Sequence, residues 1–157
     1  MSIISQLTFV HMEAATATDK IGRLLSRWNH HANDREKIDG IVDEIAMEAV
    51  RLRRQLESFF EQERRELLPR VQRIFGADCK EARALQHTEG MVLTALDRFI
   101  IVLTDDLEAP DDPRVRLARL RKLFTEFTTC LQQRRDADQR FYAHYSTMLY
   151  PGGLSTE

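Results

Sequence analysis

Cysteine is nearly missing from this chain. Cys79 and Cys130 are the only two, far apart and in no metal-ligand spacing, which excludes a disulfide framework. Cys79 is expected near a helix N-terminus, where a thiolate is favoured, although a lone thiol there is more often inert than reactive. Gly (6) and Pro (4) are scarce and β-branched runs are short, which favours long helices over many short strands. No apolar run approaches the length needed to span a membrane. The start, Met1-Ser2-Ile3-Ile4-Ser5, lacks a basic region followed by a long apolar run, so no secretory signal is expected and a reducing cytoplasm is the simplest location. A formal net charge of −2 gives no general reason to approach nucleic acid or an anionic membrane. No nucleophile stands beside a base, and neither a glycine-rich phosphate loop nor a zinc signature occurs, so an enzyme is the least supported class.

What remains is a chain of 157 residues, 43% hydrophobic and 31% charged, long enough for one real core. Breakers divide it. His30–Arg35 is polar, Gly76-Ala77-Asp78 is a short turn, and Glu108–Pro113 is a loop with two prolines. Pro151-Gly152-Gly153 ends the last helix, which predicts a single domain over 1–151 and a disordered tail over 152–157.

Between the breaks, apolar residues recur at three and four. The first stripe is Val10, Ala14, Ala17, Ile21, Leu24 and Trp28. The second is Ile38, Ile41, Ile45, Ala49, Leu52, Leu56 and Phe59, resuming at Leu67, Val71 and Ile74. The third is Leu85, Thr88, Val92, Ala95, Phe99 and Val102, and the fourth is Leu117, Leu120, Phe124, Phe127 and Leu131, then Phe141, Tyr145 and Met148. Each has the spacing of a helix buried along one side. Asp112 and Pro113 offer a cap and a first-turn proline for the fourth helix. Pro69 should kink or end the second helix between Arg65 and Pro69. Short connections make neighbours antiparallel, so the expected fold is all-α: an antiparallel up-down-up-down four-helix bundle. The arginines at 114, 116, 119 and 121, next to Lys122, are flanked by acids and read as a solvated helix face, with a docking patch for an acidic partner as the minority alternative.

The ends of the second and fourth helices align without gaps. Phe59-Phe60 through Leu67-Leu68-Pro69 matches Phe141-Tyr142 through Leu149-Tyr150-Pro151. Each copy follows a helix carrying a histidine, His11 and His87, which suggests two similar hairpins. Glu63 breaks its stripe: a carboxylate lies on the seam of Leu52, Leu56, Phe59 and Leu67. Burying it uncompensated is very costly, so a metal ion, an opposite charge or a raised pKa must offset it. Arg134 and Asp138 break the fourth stripe. They are four apart and can pair on one face, or the polar run from Gln132 to Arg140 faces water. The short turn at Gly76 brings Glu63 level with His87 to Met91, within about one turn of 5.4 Å.

These residues resemble the hemerythrin-like (HHE cation-binding) domains. That resemblance implies a four-helix bundle of two similar hairpins around a non-haem di-iron centre, in proteins that bind or sense oxygen, nitric oxide or redox state. By the resemblance, the metal residues are Glu63, His87 and His11. The motif's other positions fall on Phe59, Phe141 and Tyr145, so half of the ligand set is gone. Two readings follow. In one, a reduced site of Glu63, His87 and His11 still holds non-haem iron. In the favoured one the metal is lost, no cofactor is needed, Glu63 is balanced by a base such as Arg134 or held neutral, and the bundle is a non-enzymatic regulatory or protein-binding module. Its partner would be another protein, with homo-oligomers left open. Anti-sigma-factor-like bundles without hemerythrin ancestry are the rival reading.

Overall fold

The computed structural model describes residues 3–105 and 112–149, with side chains from residue 6 onward. The expected loop over 108–113 therefore lies largely outside the described residues, as does the expected tail over 152–157. Five helices make up the described residues, with no strand among them: α1 (Ile3–His30), α2 (Arg35–Glu66), α3 (Leu68–Phe75), α4 (Lys80–Thr104) and α5 (Pro113–Leu149). α2 and α3 are the two halves of the second predicted helix. The break falls where Pro69 forbids a hydrogen bond to the carbonyl of Arg65. Leu67 N still donates to Glu63 O at 2.9 Å, and the new helix starts with Pro69 in its first turn.

Local chemistry sets the other ends. Asp34 is extended and its Oδ1 accepts from Lys37 N at 3.2 Å, which opens α2. Asp34→Ala is expected to cost about 1 kcal/mol, read as a lower thermal midpoint with helix content otherwise kept. Cys79 is itself the cap of α4, its Sγ accepting from Ala82 N at 3.4 Å. Gly76, with φ of 102°, turns the chain between α3 and α4, a conformation that other residues adopt only with strain. At the start of α5, Asp112 Oδ1 accepts from Arg114 N at 2.9 Å.

Each long helix packs on the next, and α5 returns to α1; α3 sits against α2, α4 and α5. Cross-helix partners run in opposite order along three of these pairs. Arg53 on α2 meets Asp97 on α4 at 2.6 Å, and farther along, Arg64 meets Glu89 at 3.2 Å. Arg116 on α5 donates to Leu103 O at 2.7 Å, whereas Arg134 donates to Leu85 O at 3.2 Å. His11 on α1 meets Asp138 on α5, while the Arg116 guanidinium lies 5.6 Å from the ring centre of Trp28. The arrangement is compatible with a four-helix bundle. No helix among the described residues is long and apolar enough to cross a membrane.

The core lies on the expected stripes of α1 and α2: Ala14, Ile21, Leu24 and Trp28 face Ile38, Ile41, Ile45, Leu52 and Leu56, all buried. The end of α5 departs from expectation. Tyr142 and Leu149 are buried there, while Phe141 and Tyr145 are half-buried and Met148 is exposed. The inward line steps from Arg134 by fours, to Asp138 and Tyr142, and so runs one residue off the predicted one. Of the basic run on α5, Arg116 alone turns inward, covering Trp28 and the carbonyl of Leu103; Arg114, Arg119, Arg121 and Lys122 are exposed.

Candidate functional site: a buried ionic layer

Among the described residues, four charged ones are buried: Glu63, Glu89, Arg134 and Asp138. They sit at one level of the helix assembly, contributed by α2, α4 and α5. Glu63 falls inward because it continues the apolar seam of α2 beyond Phe59. Arg134 falls inward because it lies one turn past Leu131 on α5. Both are 1% exposed. The two oxygens of Glu63 accept from Arg134 Nη2. Arg134 Nε donates to Asp138 Oδ1 at 2.9 Å, and Nη1 donates to Thr88 Oγ1 at 2.8 Å and to Leu85 O at 3.2 Å. Every nitrogen of the guanidinium is engaged, so its rigid fork ties α5 to α2 and α4 at once. The ring of Phe60 lies 5.1 Å from the guanidinium carbon, where its electron-rich face favours the cation.

Two further residues reach the layer from its rim. His11 Nε2 lies 3.2 Å from Asp138 Oδ2, which brings in α1. Arg64 Nη1 donates to Glu89 Oε2 at 3.2 Å from a half-exposed position. Glu63 and Glu89 also influence each other's ionisation across the layer.

Charge counting constrains protonation. Three buried carboxylates face one buried guanidinium. Burial pushes Glu63 up to about 8, against the pull of Arg134 and with help from Asp138 and Glu89. Glu89 is raised by burial too, against the pull of Glu63, Arg134 and Arg64. Burial lowers Arg134, but the charges of Glu63 and Asp138 outweigh it and leave it raised, so it stays charged. The arrangement matches two acids, Glu63 and Glu89, sharing one proton.

The structure separates the residues expected to hold metal. Glu63 and His11 belong to one connected network, in which Arg134 and Asp138 stand between them. His87 is exposed on α4 and lines a groove with Gln86, Met91 and Cys130 to which no member of the layer contributes. Among the described residues, no group of three or more His, Cys, Asp or Glu side chains is placed to hold a metal ion. A cationic side chain stands between Glu63 and Asp138 and is hydrogen-bonded to both. The residues as placed do not fit a di-iron centre.

Glu89 and the link between His11 and Asp138 escaped the sequence reading. Glu89 follows Leu85 by four and precedes Val92 by three, which is a legible signal for an inward carboxylate. The polar run on α5 does not simply face water: Arg134 and Asp138 point inward while Gln132, Gln133, Arg135 and Asp136 are exposed. Against known protein-family models, characterised proteins and solved structures, the chain matches none.

Proposed function

We propose that this chain is an up-down-up-down antiparallel bundle of two similar hairpins, hemerythrin-like in plan, in which a salt-bridged layer stands where the family keeps its metal. On this reading it is a non-enzymatic regulatory or protein-binding module of the cytoplasm. One observation carries the reading: Arg134 supplies, from within the chain, the positive charge that Glu63 and Asp138 need. Metal would have to displace a guanidinium whose nitrogens are all engaged. The opposite order of partners along neighbouring helices supports the antiparallel plan. The burial of Leu67 and Leu149 at matching positions supports the paired hairpins. Phe9 and Met12 support a protein partner: they stand one turn apart on α1, 57% and 65% exposed, beside a groove of about 350 Å³ against α2.

The test is metal analysis of the purified protein, with absorption recorded from the near ultraviolet to the visible. Substoichiometric metal, no oxo-bridge bands and an unchanged melting temperature in chelator are expected. Stoichiometric iron with such bands would overturn the reading. It would favour instead a non-haem iron protein responding to oxygen, nitric oxide or redox state, for which the presence of both His11 and Glu63 in one network is the supporting observation. For the partner, replacing Phe9 and Met12 by Ser should abolish the specific complex formed in the native host and leave the fold intact.

A further inference from the structure

A second feature stands independently of any protein partner. Between α4 and α5 lies a cavity of about 340 Å³, walled by Ala84, Leu85, Ala137, Phe141 and Tyr145. Its floor is the Arg134–Asp138 end of the ionic layer. This volume is at the lower end of the range for small-molecule sites, which are mostly apolar with few polar groups. Tyr145 is held edge-on by Phe75 at 4.9 Å between ring centres and lies 5.1 Å from Phe141, so the aromatic wall is set before anything binds.

The hydrogen bonds fix the class of ligand. Arg134 has no idle nitrogen. Asp138 uses one oxygen on Arg134 and the other on His11. The hydroxyl of Thr88 accepts from Arg134 and donates to the carbonyls of Ala84 and Leu85, each at 3.0 Å. The floor therefore asks for no polar group, and a charged ligand would lose its water without gaining a partner. At the mouth, Lys80 and Glu81 carry opposite charges, so the rim favours neither ion. We propose that this cavity binds an uncharged aromatic molecule of roughly one or two rings, stacked against Phe141 and Tyr145 above the self-satisfied ionic floor.

A ligand in this position spans α4 and α5 and touches the layer that links them to α1 and α2. Binding the folded state alone would stabilise it by mass action. The test uses indole as probe, with benzoate and benzylamine as charged controls, in an NMR titration of the full chain. Saturable shifts of the Leu85 methyls and the Phe141 and Tyr145 rings are expected with indole, and weaker or no binding with either ion. Ala84→Leu with Ala137→Leu fills the cavity and should weaken indole by at least about tenfold while leaving the melting temperature in place. Should the pair fail to fold, Ala84→Leu alone carries the test, since that residue is on the exposed rim. Four results would overturn the proposal: no saturable indole binding, equal binding of a charged analogue, indifference to the filled cavity, or shifts confined to the groove beside Phe9.

Discussion

Arg134→Ala should lower the free energy of unfolding by about 3–5 kcal/mol, the loss seen when one partner of a buried ion pair is removed. The reason is what stays behind. Glu63 and Asp138, each 1% exposed in the intact protein, are left with no cation between them, and Thr88 and the carbonyl of Leu85 each lose a donor. Arg134→Lys should recover only part of the loss, because one ammonium cannot reach three sets of acceptors in the fork geometry. Replacing three of the four together, Glu63→Met with Arg134→Met and Asp138→Leu, should be near neutral or stabilising, because Glu89 keeps Arg64 and no other charge is stranded. Equilibrium urea unfolding of the three variants against wild type decides the matter. A loss below about 0.5 kcal/mol for Arg134→Ala, the size of an ordinary surface change, would show that the layer holds nothing together.

The combined replacement also probes what the layer is for. Apolar stripes alone allow helices to slide past one another or exchange neighbours. A guanidinium that must find Glu63 on α2, Leu85 and Thr88 on α4 and Asp138 on its own helix permits one register. Polar layers fix register in this way in some helical assemblies. If so, the all-apolar variant should keep its stability while its NMR spectrum broadens.

Much of this was legible in the residues because burial follows period. On α2 the positions from Ile38 to Phe59 repeat at three and four without interruption, and every one is buried. Glu63 could be placed inside for the same reason: its position on the seam is local information. Its partner was one of several bases within reach, because Arg134 lies 71 positions away in the chain and only packing brings them together. The pairing of His11 with Asp138 spans 127 positions and has no local signature at all. Glu89 had one, but Thr88 stands beside it, and a helix stripe written in threes and fours accepts either. The same ambiguity moved the end of α5 by one residue. Phe141 and Tyr145 look like core residues by composition, yet the turn set by Arg134 and Asp138 hands the inward position to Tyr142 and leaves the two rings on the wall of a cavity.

Alkaline pH should loosen this protein in a way that most small helical domains do not share. The sign follows from Glu63. Its folded pKa is raised to about 8 from an ordinary 4.5, first by burial. A raised acid contributes stability that is fully present below the unfolded value and is lost as pH climbs through the folded one. Between those limits the folded state holds a proton that the unfolded chain has released. Each pH unit then costs at most about 1.4 kcal/mol, and the pull of Arg134 limits how far up in pH the window reaches. Urea midpoints should therefore fall from about pH 5.5 through pH 7 to pH 8.5. Glu89→Gln is the control that isolates the shared proton. Its amide donates to Glu63 at every pH, so the profile should flatten, and the variant should surpass wild type at the alkaline end. A flat wild-type profile would mean that Glu63 is fully ionised against Arg134. An unchanged slope in Glu89→Gln would mean that the proton sits elsewhere in the layer. The intended outcome, a steep wild type beside a level variant, would identify a proton held between two helices as part of what keeps α2 against α4.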